Sequence, residues 1–496
     1  VAASLNLITD PWIPVRTTAG PRTIRPDQIA EADVLWPDWP RADLEIACLE
    51  LLIGLVFLAD PPADARDWAA RRRPDPARLH ERLAPLAPAF DLEGEGPRFL
   101  QDLEVLGGEP SPPDLLFLDS AGGNTARNNA DLMVRRDRYP ALPLPLAAMA
   151  LYAFQAFAPS GGAGNRTSLR GGGPLVTLVD PAGQGGGGGP LWDLVWANVP
   201  DGSPAGPGIL PWMRPTRTSE TGRQVLPGDV HPAEAFFGMP RRLRLVVEQG
   251  CVTGVIQRPH GTNYAGWRHP LTPYYRMKAG SELLPRHPRA GAFGYRNWLG
   301  TLFVRGEGLE ERAAALETFV ARGGGPGAAV IVAGWVMDNM KPRDFVFSRQ
   351  PLVALPEARL ATLLGLGEAA EEARGALRLA LLPFLAEGSA LEAQLESFVH
   401  RTEGALLARL RDLESGREDD AVARDWLGDM RRTALGIFDA LALPGLGTRK
   451  PEMAERIVRG RSHLLGTFSG RSRTGARLYG RLGLAPPAES RQTEDA

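Results

Sequence analysis

The spacing of apolar and polar positions divides the chain into two unlike parts. Up to about residue 350, short apolar runs alternate with Gly- and Pro-rich loops and a few helices. The runs 243–247 (Leu-Arg-Leu-Val-Val) and 328–332 (Ala-Ala-Val-Ile-Val) predict strands. The longest apolar stretch, 44–59, is interrupted by Glu45 and Glu50 and closed by Asp60-Pro61-Pro62. It is shorter than the roughly 20 residues of a bilayer span. It predicts a buried core helix with Asp43 as its N-cap. A glycine run at 183–189 predicts a flexible surface loop, and no fixed repeat is visible.

From about residue 355 the texture changes to Ala, Leu, Glu and Arg. Helical segments are predicted at 357–386, 390–414, 419–443 and 449–483. In the second, Leu391, Leu395, Phe398, Thr402, Leu406, Leu410 and Leu413 recur at three- and four-residue steps and so share one helix face. The connections are short (Glu387-Gly388-Ser389, Ser415-Gly416-Arg417, Pro444-Gly445-Leu446-Gly447), which makes sequential helices antiparallel neighbours. The expected class is α+β. A large mixed domain of loop-rich sheets and helices spans 1–352, an up-down four-helix bundle spans 353–484, and a disordered tail spans 485–496.

A length of 496 residues allows two to four domains. Lys+Arg 56 against Asp+Glu 58 gives a net charge of -2, which excludes coating of nucleic acid by global charge and leaves only local patches. Two cysteines, Cys48 and Cys251, exclude a disulfide framework and a cysteine-rich zinc module. No basic segment precedes an apolar run at the start, so a cytoplasmic, reducing setting without a membrane anchor is expected. Basic residues are almost all Arg, with lysine only at Lys278, Lys341 and Lys450, as a GC-rich genome produces.

No catalytic constellation is legible. The histidines His80, His231, His260, His269, His287, His400 and His463 form no zinc-binding spacing, no nucleophile elbow appears, and the glycine runs lack the Lys-Ser or Lys-Thr of a phosphate loop. Paired carboxylates such as Asp419-Asp420 and Glu371-Glu372 fit solvated helix faces or helix starts. No enzyme activity, metal or cofactor is expected.

Four segments combine local positive charge with backbone freedom. The first, 122–139, carries Arg127, Asn128, Asn129, Arg135, Arg136 and Arg138, side-chain types that suit phosphate, 2′-OH and base edges. The second, 159–174, holds Gly161, Gly162, Ala163, Gly164, Asn165 and Arg166, followed by Arg170. Residues without side chains let backbone approach a ligand closely, and in a minor groove such a backbone senses width and the guanine amino group. Arg166 and Arg170 are candidate phosphate holders. The third, 214–244, carries Arg214, Arg217, Arg223, Arg241, Arg242 and Arg244, a candidate backbone track. The fourth, 337–343, places Asn339, Met340 and Lys341 on a turn after an apolar run, a candidate wedge for a base step. The alternatives are, in order, a solvated surface loop, a turn between helix and strand, a set of exposed arginines and an ordinary loop.

Taken in order, these segments resemble the CasA family, the large subunit of the type I-E CRISPR surveillance complex Cascade. The resemblance is carried by Asn6-Leu7-Ile8-Thr9-Asp10-Pro11-Trp12-Ile13-Pro14-Val15, Pro97-Arg98-Phe99-Leu100-Gln101, Gln155-Ala156-Phe157, Leu169-Arg170-Gly171-Gly172, Tyr295-Arg296-Asn297-Trp298 and Met337-Asp338-Asn339-Met340-Lys341, and by the terminal helices. It implies a non-catalytic subunit that finds the protospacer-adjacent motif (PAM) in double-stranded DNA, mainly through the minor groove, and helps open the duplex for crRNA pairing. It implies as partners the crRNA-bound Cascade backbone, small subunits at the C-terminal bundle, and a helicase-nuclease. By position, the glycine loop maps to Gly161, Gly162, Ala163 and Gly164, the wedge to Asn339, Met340 and Lys341, and the crRNA loop to 122–139. The basic finger maps to Arg258, with Gln257 next, where some members carry lysine. Two alternatives stand beside this: a scaffold subunit without base reading, and a hydrolase with a non-standard site.

Overall fold

A computed structural model describes residues 4–120, 127–128, 138–162, 164–183, 188–306, 308–325 and 327–486. The chain forms two compact units, one of 1–290 and 300–352, the other of 291–299 and 353–496. The segment 291–299 thus lies within the N-terminal span but belongs to the helical unit.

The first unit opens with a sheet of order β2-β1-β3, made by β1 (Ile13–Thr17), β2 (Gly20–Ile24) and β3 (Val34–Pro37). Helix α1 (Ala42–Ala59) follows, buried on nearly every face. It starts two residues earlier than the Asp43 cap predicts. Arg41 is the N-cap residue, and the Asp43 carboxylate accepts from the Arg41 guanidinium (2.9 Å to Nε and to Nη2). Short helices α2 (Ala65–Ala70) and α3 (Pro76–Leu83) are capped by Asp64 and Asp75, whose carboxylates accept from the N–H of Asp67 and Arg78. Helix α4 (Leu144–Phe157), preceded by strand β4 (Leu142–Pro143), packs against α1.

Strand β5 (Val176–Asp180) leads to helix α5 (Leu191–Asn198) and the single turn α6 (Glu234–Phe237). Strands β6 (Arg242–Glu248) and β7 (Cys251–Arg258) form a hairpin on which β4 adds an edge. The turn between them, Gln249-Gly250, has positive φ at both residues, the geometry that matches strand twist. A small sheet joins β8 (Tyr274–Arg276), β9 (Leu283–Pro285) and β10 (Glu310–Glu311), and helix α7 (Ala314–Ala321) follows. The last sheet has order β12-β11-β5, with the long hairpin β11 (Ala329–Asp338) and β12 (Lys341–Pro351). The predicted run 243–247 falls inside β6, and 328–332 falls in β11 except for its first residue.

The second unit holds α8 (Glu357–Leu381), α9 (Ser389–Glu414), α10 (Asp419–Ala442), α11 (Pro451–Phe468) and α12 (Arg473–Arg481). All seven residues of the predicted α9 face are buried. Thr402 on that face shares a hydrogen bond of 3.0 Å with the Tyr295 hydroxyl, and the Trp426 indole donates to the Leu366 carbonyl at 2.9 Å. The expected fourth helix is two helices. Gly470 turns the chain at φ 76°, and the Ser472 side chain caps α12 by accepting from the Gly475 N–H. Helices α8 and α11 come so close at Gly460 that a Cβ there would lie 2.9 Å from the Ala380 carbonyl oxygen. The mixed class with terminal helices is as expected. The expected tail falls, from 487 on, outside the described residues, as do 184–187 of the glycine run.

Candidate nucleic-acid interface

The loop after α4 folds back on itself. The Gly161 N–H donates to the Asn165 carbonyl at 3.2 Å, the Ser168 N–H to that of Ala158 at 3.0 Å, and the Gly173 N–H to that of Phe157 at 2.8 Å. Gly161 and Gly162 are exposed, and a Cβ on Gly162 would meet nothing within 4 Å. Gly164 is the opposite case. Its φ is 77°, and a Cβ there would stand 2.7 Å from the His260 ring. Only glycine fits both demands. Ala163 lies outside the described residues.

Two other segments meet this loop. The first is the chain leaving β7. His260, at φ 62°, donates its N–H to the Gly164 carbonyl at 3.0 Å and accepts from the Ser219 N–H at 3.2 Å. Ser219 also holds Arg166, whose Nε donates to its hydroxyl at 2.8 Å and whose Nη2 donates to its carbonyl at 3.3 Å. The second is the tip of the β11–β12 hairpin. Asn339 (φ 47°) and Met340 (φ 66°) form its two-residue turn between paired Asp338 and Lys341. Asn tolerates that conformation, whereas Met there costs about 1–2 kcal/mol relative to a right-handed residue. The Ser160 hydroxyl donates to the Met340 sulfur at 2.7 Å, so the hairpin tip rests on the loop. Met340 is 59% exposed, Lys341 is exposed, and Arg343 pairs with Asp338 across the hairpin at 2.9 Å.

Several arginines do other work than the sequence suggests. Arg170 is 3% exposed, with its guanidinium bound to the Glu50 carboxylate on α1, to Thr272 Oγ1 at 3.0 Å and to His269 Nδ1 at 2.8 Å. It anchors the end of the loop from inside and cannot hold a phosphate there. Burial pushes the Glu50 carboxyl up, but Arg170 and His269 outweigh it and hold it well below the ordinary range. Burial, then Arg170, pushes the His269 imidazole down. The 214–244 track is likewise mostly spent internally. Arg214 pairs with Glu234 at 2.7 Å, Arg242 pairs with Asp102 at 2.6 Å, and Arg244 donates to the Asp102 carbonyl at 2.9 Å. Arg223 stays exposed.

Arg258 ends β7, is exposed, and lies over the turn at Gly107-Gly108, where a Cβ on Gly108 would be 2.9 Å from its Nη2. In the 122–139 segment Arg127 and Asn128 are exposed, and Arg138 pairs with Asp119 at 2.9 Å. Asn129, Arg135 and Arg136 lie outside the described residues. The roles of Ser160, Ser219 and His260 left no mark in the sequence, because each is a contact across distant parts of the chain.

Among the described residues, no group of three or more His, Cys, Asp or Glu is placed to hold a metal, and no helix is long and apolar enough to cross a membrane.

This fold, a mixed N-terminal unit followed by a helical one, is similar to that of several solved CRISPR-associated proteins. The chain is similar to Cse1 from Thermobifida fusca (19% identity, 98% of this chain and 99% of that chain covered, TM-score 0.72). It is similar to CasA (Cse1) from Thermus thermophilus (20% identity, 96% and 99% covered, TM-score 0.71). It is also similar to a chain of a solved CRISPR RNA-guided surveillance complex (16% identity, 93% and 99% covered, TM-score 0.67). The family model of CRISPR-associated protein Cse1 matches residues 6–437. The chain belongs to the Cse1 family.

Proposed function

We propose that this chain is the large subunit of a type I-E Cascade complex and reads the PAM of double-stranded DNA. The bare backbone at Gly161 and Gly162 enters the minor groove, and the hairpin tip at Asn339, Met340 and Lys341 starts strand separation beside it. Segment 122–139 meets the crRNA-bound backbone, the helical unit meets the small subunits, and the opened complex supports recruitment of the helicase-nuclease. The role is non-catalytic and cytoplasmic. The observation that carries this reading is the meeting of the three segments: Ser160 holds Met340, and His260 holds Gly164. Motif reading and duplex opening need their parts within one or two base steps of each other, and this contact supplies that.

The test is duplex binding by a crRNA-loaded complex reconstituted with and without this chain. The flanking bases are varied and salt is held fixed, because phosphate contacts make affinity salt-dependent. The expected result is a preference for particular flanking bases only when the chain is present. Equally tight and unselective binding without it would leave a scaffold role instead.

A further inference from the structure

Beneath the glycine loop sits a positive charge for which the described residues supply no anion. Arg241, the residue before β6, is 5% exposed. Gln155 on α4 pins its backbone: the Arg241 N–H donates to Gln155 Oε1 at 3.1 Å, and the Arg241 carbonyl accepts from Gln155 Nε2 at 3.0 Å. The guanidinium lies over the Phe154 ring, 5.2 Å from its centroid, and Nη2 donates to the Pro159 carbonyl at the loop's first residue. Nε is buried with no hydrogen-bond partner. Burial pulls its pKa down to about 10.

Its neighbours behave differently. Arg170, Arg214 and Arg242 each have a carboxylate, whereas among the described residues none pairs with Arg241. An unpaired buried charge is costly to the fold. Its Nη1 lies 3.7 Å from the place a Cβ on Gly161 would occupy. Glycine at 161 therefore sets no side chain beside Nη1, and a guanidinium matches a phosphate.

We propose that Arg241 is a phosphate-binding residue set under the glycine loop, where a phosphodiester of the target duplex settles against Gly161 and becomes the counter-ion of Nη1. This rests on the reading that the loop meets DNA. The bare loop then has two uses: its backbone enters the groove, and at Gly161 it sets no side chain beside a charge held in place by α4.

The experiment measures PAM-duplex affinity of the reconstituted complex across salt concentrations, for wild type and Arg241→Gln. Losing one phosphate contact makes the slope of log K against log salt shallower by about 0.9. A merely structural role would lower affinity and leave the slope unchanged, and that result would overturn the proposal. A second arm varies the DNA. Single methylphosphonates are placed in turn at each phosphate flanking the motif. One position is expected to cost the wild type about tenfold, or ~1.4 kcal/mol, and to cost Arg241→Gln nothing. If no position does so in the wild type, the proposal falls. A slope change seen only in crRNA loading would place the phosphate on RNA and overturn the DNA assignment. Flanking-base preference of the wild type, scored in the same titrations, tests the loop reading separately.

Discussion

Replacing Glu50 with Gln would leave the Arg170 guanidinium buried opposite a neutral amide. Removing one partner of such a pair costs about 3–5 kcal/mol, so Glu50→Gln should lower the thermal midpoint clearly, although residue 50 is far from any surface. The same cluster sets a pH dependence. Because the His269 pKa is depressed in the folded chain, the unfolded chain takes up that proton first, near its ordinary 6.5. Stability is therefore whole above about pH 6.5 and declines as pH falls below it. Glu50, also depressed, adds a further loss below about pH 4.5. His269→Gln should give a flatter melting profile than wild type between pH 6.5 and 5, checked by calorimetry. At the loop, two glycines separate fold from function. Gly164→Ala meets both a left-handed φ and the His260 ring, and should destabilise by about 1–3 kcal/mol. At Gly162 a Cβ meets nothing within 4 Å, which leaves room for the start of a leucine side chain in Gly162→Leu. It should leave the midpoint unchanged and weaken PAM-duplex binding tenfold or more, and unchanged affinity would remove the loop from the mechanism.

The hairpin β11–β12 carries a conformation that its tip residue disfavours. Met340→Gly relieves the left-handed strain and should fold at least as stably as wild type, yet it removes the side chain that Ser160 holds. We expect slower opening of duplex targets and unchanged binding to a pre-melted bubble, read by stopped-flow fluorescence of the displaced strand. A double-mutant cycle with Ser160→Ala measures whether loop and tip act together. A coupling energy of about 0.5–1 kcal/mol is expected for groups in contact, and additivity would mean that they act alone. At this scale the hydrophobic pattern was a good guide. The α9 face is buried residue for residue, because a three- and four-residue spacing leaves a long helix no other way to hide its leucines. The split of the last segment was not legible. Ser472 and Gly470 decide it through one cap and one turn, and the periodicity of 449–483 runs on past both.

Over the whole molecule, charge is nearly balanced, and many of the arginines are paired with carboxylates or carbonyls. The isolated chain should therefore bind unrelated duplex more weakly than the ~10⁻⁴–10⁻⁶ M typical of non-specific binders at physiological salt. A mobility-shift titration checks this, and tight binding by the chain alone would contradict it. The two-unit division shows a similar limit of linear reading. Residues 291–299 belong with helices that begin some sixty positions later, and no local composition marks them.

What the sequence by itself determined is the class, the terminal helices, the strand runs and the family resemblance, because each rests on local periodicity or on motifs a few residues long. Only the tertiary structure decided which charges face outward. Glu50 and Arg170 are 120 residues apart in the chain, and Ser160 and Met340 are 180 apart. Arg170 and Arg241 look alike as letters near glycines. One is neutralised by a carboxylate and the other finds none among the described residues, because a buried charge is defined by the partners that folding brings to it and not by its neighbours in the chain.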